Sequence, residues 1–195
     1  MPIVQLAQRW LDDYSARAGL TLVHLKRHLE TQTSMPDGIT GSNPNSTTGT
    51  RTIHAAILVE ASPSEVWSAL TEPGKSRQWY FGTAIRSSFD SGAPLEYVDD
   101  AGVVRIRGVI VEAVPCERLA HTFDATWSPA VSGDAESLYE WRLEAVGTAL
   151  TKVSITHSGV PVATATEGEV EQGATLLLSA LKTLLETGRP LRVGV

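Results

Sequence analysis

Few side chains in this chain can do acid–base or metal chemistry. There are five histidines: His24, His28, His54, His121 and His157. His24 and His28 stand four residues apart, a spacing that places both on one helix face and can hold a metal ion. No third ligand accompanies them, so a solvated pair is expected and no metal site. His121 shares strand parity with Leu119 and Phe123. It is either a lone polar group in an apolar pocket, orienting a ligand or acting as a base, or a core histidine satisfied by a neighbour. His157 follows an apolar strand and precedes Ser158-Gly159. It reads as a polar group at a cavity mouth or as a hydrogen-bonded strand end. Asp99 and Asp100 sit together in the turn signal Asp-Asp-Ala-Gly and read as turn formers, not a catalytic pair. The single cysteine, Cys116, excludes an intramolecular disulfide framework and a multi-cysteine metal site, and reads as an ordinary thiol. The phosphate-loop, dinucleotide, zinc-protease and nucleophile-elbow motifs are absent. No cofactor is implied.

The aromatic residues are more informative. Trp67, Trp79, Tyr80, Phe81, Phe89, Phe123, Trp127, Tyr139 and Trp141 all fall in the C-terminal three quarters of the chain. Apolar walls with a few polar groups are what a small-molecule pocket needs, and the same residues could equally fill a core. If a pocket exists, its expected aromatic and polar lining is Trp79, Phe81, His121, Phe123, Trp127, Tyr139, Trp141 and His157. Ile106, Val153, Ile155, Leu177 and Leu181 are its expected aliphatic lining.

These residues need elements to position them. Thr52–Glu60 reads as a strand, followed by Ser62-Pro63-Ser64-Glu65, a capping box with proline at the first helical position. That helix stops near Pro73-Gly74, and Lys75–Trp79 continues as a second short helix. Strands are expected at Ala84–Phe89, Pro94–Val98, Val103–Val114 and Glu117–Phe123. Leu138–Ala145 alternates, with Tyr139, Trp141 and Leu143 on one face and Glu140, Arg142 and Glu144 on the other. Leu150–His157 repeats the pattern. A long helix closes the chain, with Thr166-x-x-Glu169 as its expected capping box, Val170, Ala174, Leu177, Leu181 and Leu184 on its apolar face, and Gly188 and Pro190 as its stop. Strands with one wet and one covered face, followed by a long amphipathic helix, predict an α+β fold: a curved antiparallel sheet around the C-terminal helix.

Residues 1–30 carry apolar residues at helical spacing and predict an extension helix, whose stripe must pack on its own domain or on a second copy. Residues 31–51, rich in Ser, Thr, Gly, Asn and Pro, read as a flexible linker, and 52–195 as the main domain. The chain has 195 residues and a formal charge of −6. That balance argues against nucleic-acid binding. No apolar run is long enough to span a membrane, and MPIVQLAQRWLDDY is not a signal peptide, so a cytoplasmic protein without membrane association is expected.

The main domain resembles the SRPBCC superfamily, with its helix-grip or START-like fold. Within it, the chain resembles the activator of heat-shock-protein ATPase homologue family. The likeness rests on Ala61-Ser62-Pro63-Ser64-Glu65-Val66-Trp67-Ser68-Ala69-Leu70-Thr71 with Gln78-Trp79-Tyr80 after it, which is similar to the family's A-P-x-E-V-W-x-A-L-T helix. Gly108, Val114-Pro115-Cys116-Glu117-Arg118-Leu119 and Thr156-His157-Ser158-Gly159 also match. The resemblance implies a grip around a hydrophobic cavity that takes small apolar ligands. Eukaryotic chaperone activators of the family carry a separate N-terminal chaperone-binding domain that this sequence does not resemble, so chaperone activation is not expected.

Three functions follow as expectations. The first is binding of a small hydrophobic molecule between sheet and C-terminal helix. The second is a cyclase, dehydratase or hydrolase acting on a polyketide-like or aromatic substrate, with His121 and His157 as acid–base groups. The third is a regulatory module that forms a homodimer through residues 1–30.

Overall fold

The computed structural model describes residues 49–192. The expected helix over 1–30, with His24 and His28, and nearly all of the expected linker lie outside the described residues.

The described chain runs β1 (Thr50–Val59), α1 (Pro63–Thr71), α2 (Pro73–Trp79), β2 (Ala84–Arg86), β3 (Pro94–Val98), β4 (Val104–Val114), β5 (Arg118–Ala125), β6 (Ser137–Ala145), β7 (Thr151–Pro161) and α3 (Ala165–Thr187). The strands form one seven-stranded sheet in the order β1-β7-β6-β5-β4-β3-β2. Every neighbouring pair is antiparallel. With α3 against its inner face, this is the expected α+β helix-grip architecture.

Local chemistry sets most boundaries. The Ser62–Glu65 capping box forms in both directions, with Pro63 in the first turn of α1. Trp79 Nε1 donates to the Ala69 carbonyl at 3.0 Å, which ties α2 to α1. Asp99 Oδ1 accepts from the backbone of Ala101 and Val103, both at 2.9 Å, and shapes the β3–β4 hairpin. Alternation appears as read: Tyr139, Trp141 and Leu143 are buried, while Arg142 and Glu144 are exposed. On the outer face Glu140 pairs with Arg118 at 2.7 Å.

Four of the differences from the expected boundaries have a clear physical cause. β1 begins at Thr50, inside the segment read as linker, because Arg51 pairs with Val160 across the sheet and with Glu167 and Glu171 of α3. β2 stops at Arg86 instead of Phe89, which sits at φ 62°, outside strand geometry. β7 continues past His157 to Pro161, because Thr50 and Arg51 extend its partner strand. The cap of α3 is Thr164, not Thr166: the Thr164 hydroxyl accepts from the Glu167 amide. Thr166 is buried and donates instead to Asp134 at 2.6 Å, which anchors the β5–β6 loop to the helix.

Helix α3 is covered unevenly. Ala174, Leu177, Leu178, Ala180, Leu181 and Leu184 are buried, whereas before Ala174 only Thr166 is. Each buried leucine contributes about 2 kcal/mol, so the C-terminal half holds the helix on the sheet. Gly188 ends it at φ 68°, a left-handed cap that glycine adopts without a Cβ clash.

Candidate functional site

Residues directly opposite in an antiparallel sheet share a face. One row across the inner face therefore reads Ile53, His157, Tyr139, His121, Ile110 from β1 to β4. The next row includes Ala55, Ile155, Trp141 and Leu119. The first row is the unusual one, because two imidazoles and a phenol lie where apolar residues are the rule.

His121 is fully buried, and its Nδ1–H donates to the Thr122 carbonyl at 2.7 Å. The backbone explains that contact. The β4–β5 ladder is interrupted between Arg107–Asp124 and Ile110–His121. Within the gap, Val109 N–H donates to Thr122 Oγ1 at 2.9 Å. A Cβ on Gly108 would lie 2.0 Å from the Thr122 carbonyl oxygen. Glycine at 108 thus makes room for a carbonyl that fixes the His121 tautomer. A carbonyl only accepts, so Nδ1 carries the proton and Nε2 presents a lone pair. That Nε2 has no partner among the described residues, nor do the buried Tyr139 hydroxyl and Trp141 indole N–H.

His157 is also buried, and its Nε2 shares a hydrogen bond of 2.7 Å with Ser137 Oγ. Its ring meets Phe123 edge-on at 4.7 Å and Tyr139 at 4.8 Å. His121 stacks on Tyr139 at 5.6 Å. Burial pushes both imidazoles down to about 4, and for His157 the proximity of His121 adds to the effect. Burial likewise raises the phenols of Tyr80, Tyr97 and Tyr139, and the Tyr139 shift is increased by Tyr80 and Tyr97. All five groups are uncharged at neutral pH. Among the described residues no Lys, Arg, Asp or Glu is buried, and no group of three or more His, Cys, Asp or Glu could hold a metal ion.

The residues singled out in the sequence fall into one region. Trp79, Ile106, Phe123, Tyr139, Trp141, Val153, Ile155, Leu177 and Leu181 belong to a single buried cluster, with Phe81 and Trp127 half-buried against it. Trp79 packs edge-on against Trp141 at 5.7 Å. Val153 stands apart from the polar row, flanked by Ile57 and Leu143 in register. Phe81 and Trp127 mark the looser edge beside the N-terminal half of α3. Phe81 reaches the helix where Gly173 leaves space, and Trp127 Nε1 donates to Glu169. His54, by contrast, lies outside the core, with its Nδ1 near Thr156 Oγ1.

Sequence reasoning missed two residues here. Ser137 shares the parity of Tyr139 and Trp141, a signal that would have placed it inward. Tyr97 has the parity of Leu95 in β3, and it stacks on Tyr80 at 4.1 Å. Chemically, the inner face offers a hydroxyl beside a neutral imidazole, Ser137 with His157, and an unpartnered acceptor and donor on stacked rings, His121 with Tyr139.

Comparison with known proteins places the chain. The family described as Activator of Hsp90 ATPase homolog 1-like protein matches residues 60–186. A search of the curated proteins finds no match. Among solved structures, the Aha1 dimer from Colwellia psychrerythraea superposes with a TM-score of 0.57 at 21% identity, covering 71% of this chain and 98% of that one. DynU16, a protein of the dynemicin biosynthetic locus, gives 0.58 at 23% identity, over 71% of this chain and 48% of that one. The HSP90 activator PFC0360w from Plasmodium falciparum gives 0.58 at 14% identity, over 71% of this chain and 97% of that one. These likenesses carry the fold, and the family match carries membership: the chain belongs to the Activator of Hsp90 ATPase homolog 1-like family.

Proposed function

We propose that the protein binds a small, largely apolar molecule between the inner face of the sheet and α3. The observation that carries this reading is the set of unpartnered polar atoms on His121, Tyr139 and Trp141, all buried among aromatic and aliphatic side chains. Leaving a buried donor or acceptor unmade costs about 1–3 kcal/mol. A molecule that supplies the missing partners recovers that free energy while burying its own apolar surface. The half-buried N-terminal part of α3, with Phe81 and Trp127 beside it, supports access from that edge.

Titration of the full chain with naphthalene, followed by the indole N–H resonances in heteronuclear NMR, tests the reading. A saturable shift of the Trp141 resonance is expected. Unchanged indole resonances at the solubility limit, together with no adduct in native mass spectrometry of the purified protein, would refute it.

The Ser137–His157 contact favours a second reading: a hydrolase in which His157 takes the Ser137 proton and the oxygen attacks an ester carbonyl. The alkoxide of the ester leaves with that proton, and water then releases the acyl group. Nitrophenyl acetate turnover that disappears in Ser137→Ala supports it, and turnover unaffected by that change rejects it. Pairing of two copies through residues 1–30 is likewise proposed. Light scattering that finds the same mass with and without these residues rejects that role.

A further inference from the structure

We infer that the ligand is an uncharged aromatic molecule carrying a hydroxyl group, held by the facing His121 and Tyr139. The hydroxyl donates to His121 Nε2 and accepts from the Tyr139 hydroxyl. The inference rests on the ligand-binding reading above and names the class of molecule that the site takes.

Three observations converge on it. His121 and Tyr139 are opposite one another on β5 and β6, with rings stacked at 5.6 Å and 25°. The Nδ1–H of His121 is committed to the Thr122 carbonyl, so the unpartnered Nε2 can only accept. The unpartnered hydroxyl of Tyr139, whose ring stacks on His121, can donate. An acceptor and a donor on adjacent side chains are both satisfied by one hydroxyl, which donates and accepts at the same atom. A carbonyl would serve Tyr139 and leave His121 Nε2 unmade. An ammonium would do the reverse.

The requirement for neutrality comes from the surroundings. The buried polar residues among those described are Ser76, Thr83, His121, Ser137, Thr151, His157 and Thr166, with no ionic side chain among them. A charged ligand would lose its hydration without gaining a counter-charge, which costs several kcal/mol. The preference for a ring follows from the walls: Phe123 lies 5.6 Å from Tyr139, and Tyr97 lies 6.4 Å from His121. Walls built of such rings favour offset or edge-on contacts with a further aromatic ring.

Equilibrium dialysis of the full chain at neutral pH against naphthalene, naphthol and naphthoate separates the claims. Naphthol is expected to bind about ten-fold tighter than naphthalene, and naphthoate more weakly than either. Tyr139→Phe removes one oxygen from a packed ring and should cut the ratio of naphthol to naphthalene affinity several-fold. His121→Leu should abolish the advantage. Should the leucine variant fail to fold, the phenylalanine variant alone decides. Equal affinities for naphthol and naphthalene in the unmodified protein would overturn the hydroxyl assignment and leave an apolar site standing. A naphthol advantage that survives Tyr139→Phe in full would also overturn it. Tight naphthoate binding would overturn neutrality. Absence of binding by all three would remove the ligand-binding reading itself, and this inference with it.

Discussion

Ser137 Oγ lies 2.7 Å from His157 Nε2, on neighbouring strands, with both side chains buried on the inner face. Its other contact, to the Phe123 carbonyl, is long at 3.4 Å. The imidazole is therefore the main partner of the hydroxyl. Ser137→Ala leaves a buried ring nitrogen unpaired and should destabilise the domain by about 1–3 kcal/mol in a denaturant titration. A change within about 0.5 kcal/mol would show that solvent replaces the hydroxyl at this position.

Acid should weaken the fold through its two buried histidines. In the unfolded chain both titrate near 6.5, and in the folded chain only near 4. Between those values the unfolded state holds more protons, so stability is full above about pH 6.5 and declines as pH falls towards 4. The gap corresponds to about 3 kcal/mol for His121 acting alone. Among the described residues neither ring forms a salt bridge with a carboxylate that would offset the loss, and their hydrogen-bond partners are the Thr122 carbonyl and Ser137. Urea midpoints measured from pH 7 to pH 4 check this, and the His121→Leu variant should show a shallower decline.

Gly108 is expected to be intolerant of any side chain. The Cβ of alanine would meet the Thr122 carbonyl oxygen at 2.0 Å, and that atom belongs to the backbone of the adjoining strand. The β4–β5 pairing must open to admit it. Gly108→Ala should lower stability by about 3 kcal/mol or more, and should move the His121 ring resonances because the carbonyl that holds Nδ1 is displaced. Thermal melts and imidazole NMR signals measure both effects.

Phe81 holds a left-handed backbone, φ 50°, ahead of Gly82 at φ 74°, in a tight turn closed by Thr83 N–H to the Tyr80 carbonyl at 2.9 Å. Asparagine tolerates that conformation better than phenylalanine does. Phe81→Asn should therefore leave the melting temperature unchanged or slightly raised. It also removes a ring from the loose edge beside Gly173, and naphthalene affinity should fall about five-fold, a loss of roughly 1 kcal/mol. An unaltered affinity would show that the ligand does not reach this edge.

The start of α3 offers a control on local chemistry. Thr164→Ala removes the cap on the Glu167 amide and should cost about 1 kcal/mol by chemical denaturation. Thr166→Val should loosen the β5–β6 loop through loss of the Asp134 bond, which faster hydrogen exchange of Val131–Asp134 would reveal.

Much of the fold was written in local pattern. Alternation in β6 showed which residues face inward, because a strand has a period of two and one covered face. Ser62 and Glu65 marked the start of α1 because a helix end must satisfy its free amides. The same logic misplaced the start of α3. Thr164 and Thr166 are both cap formers, and only the distant Asp134 claims one of them.

The sequence by itself determined the grip architecture, the family and the presence of aromatic and histidine residues on an inner face. Tertiary structure alone decided their chemistry. Strand register set His157, Tyr139 and His121 side by side, an order fixed by pairing between segments far apart in the chain. The space left at Gly108 turned the Thr122 carbonyl toward His121 and so chose which nitrogen holds the proton. Burial then removed the charge from both imidazoles, because desolvation acts on a residue's surroundings, which spacing along the chain does not record.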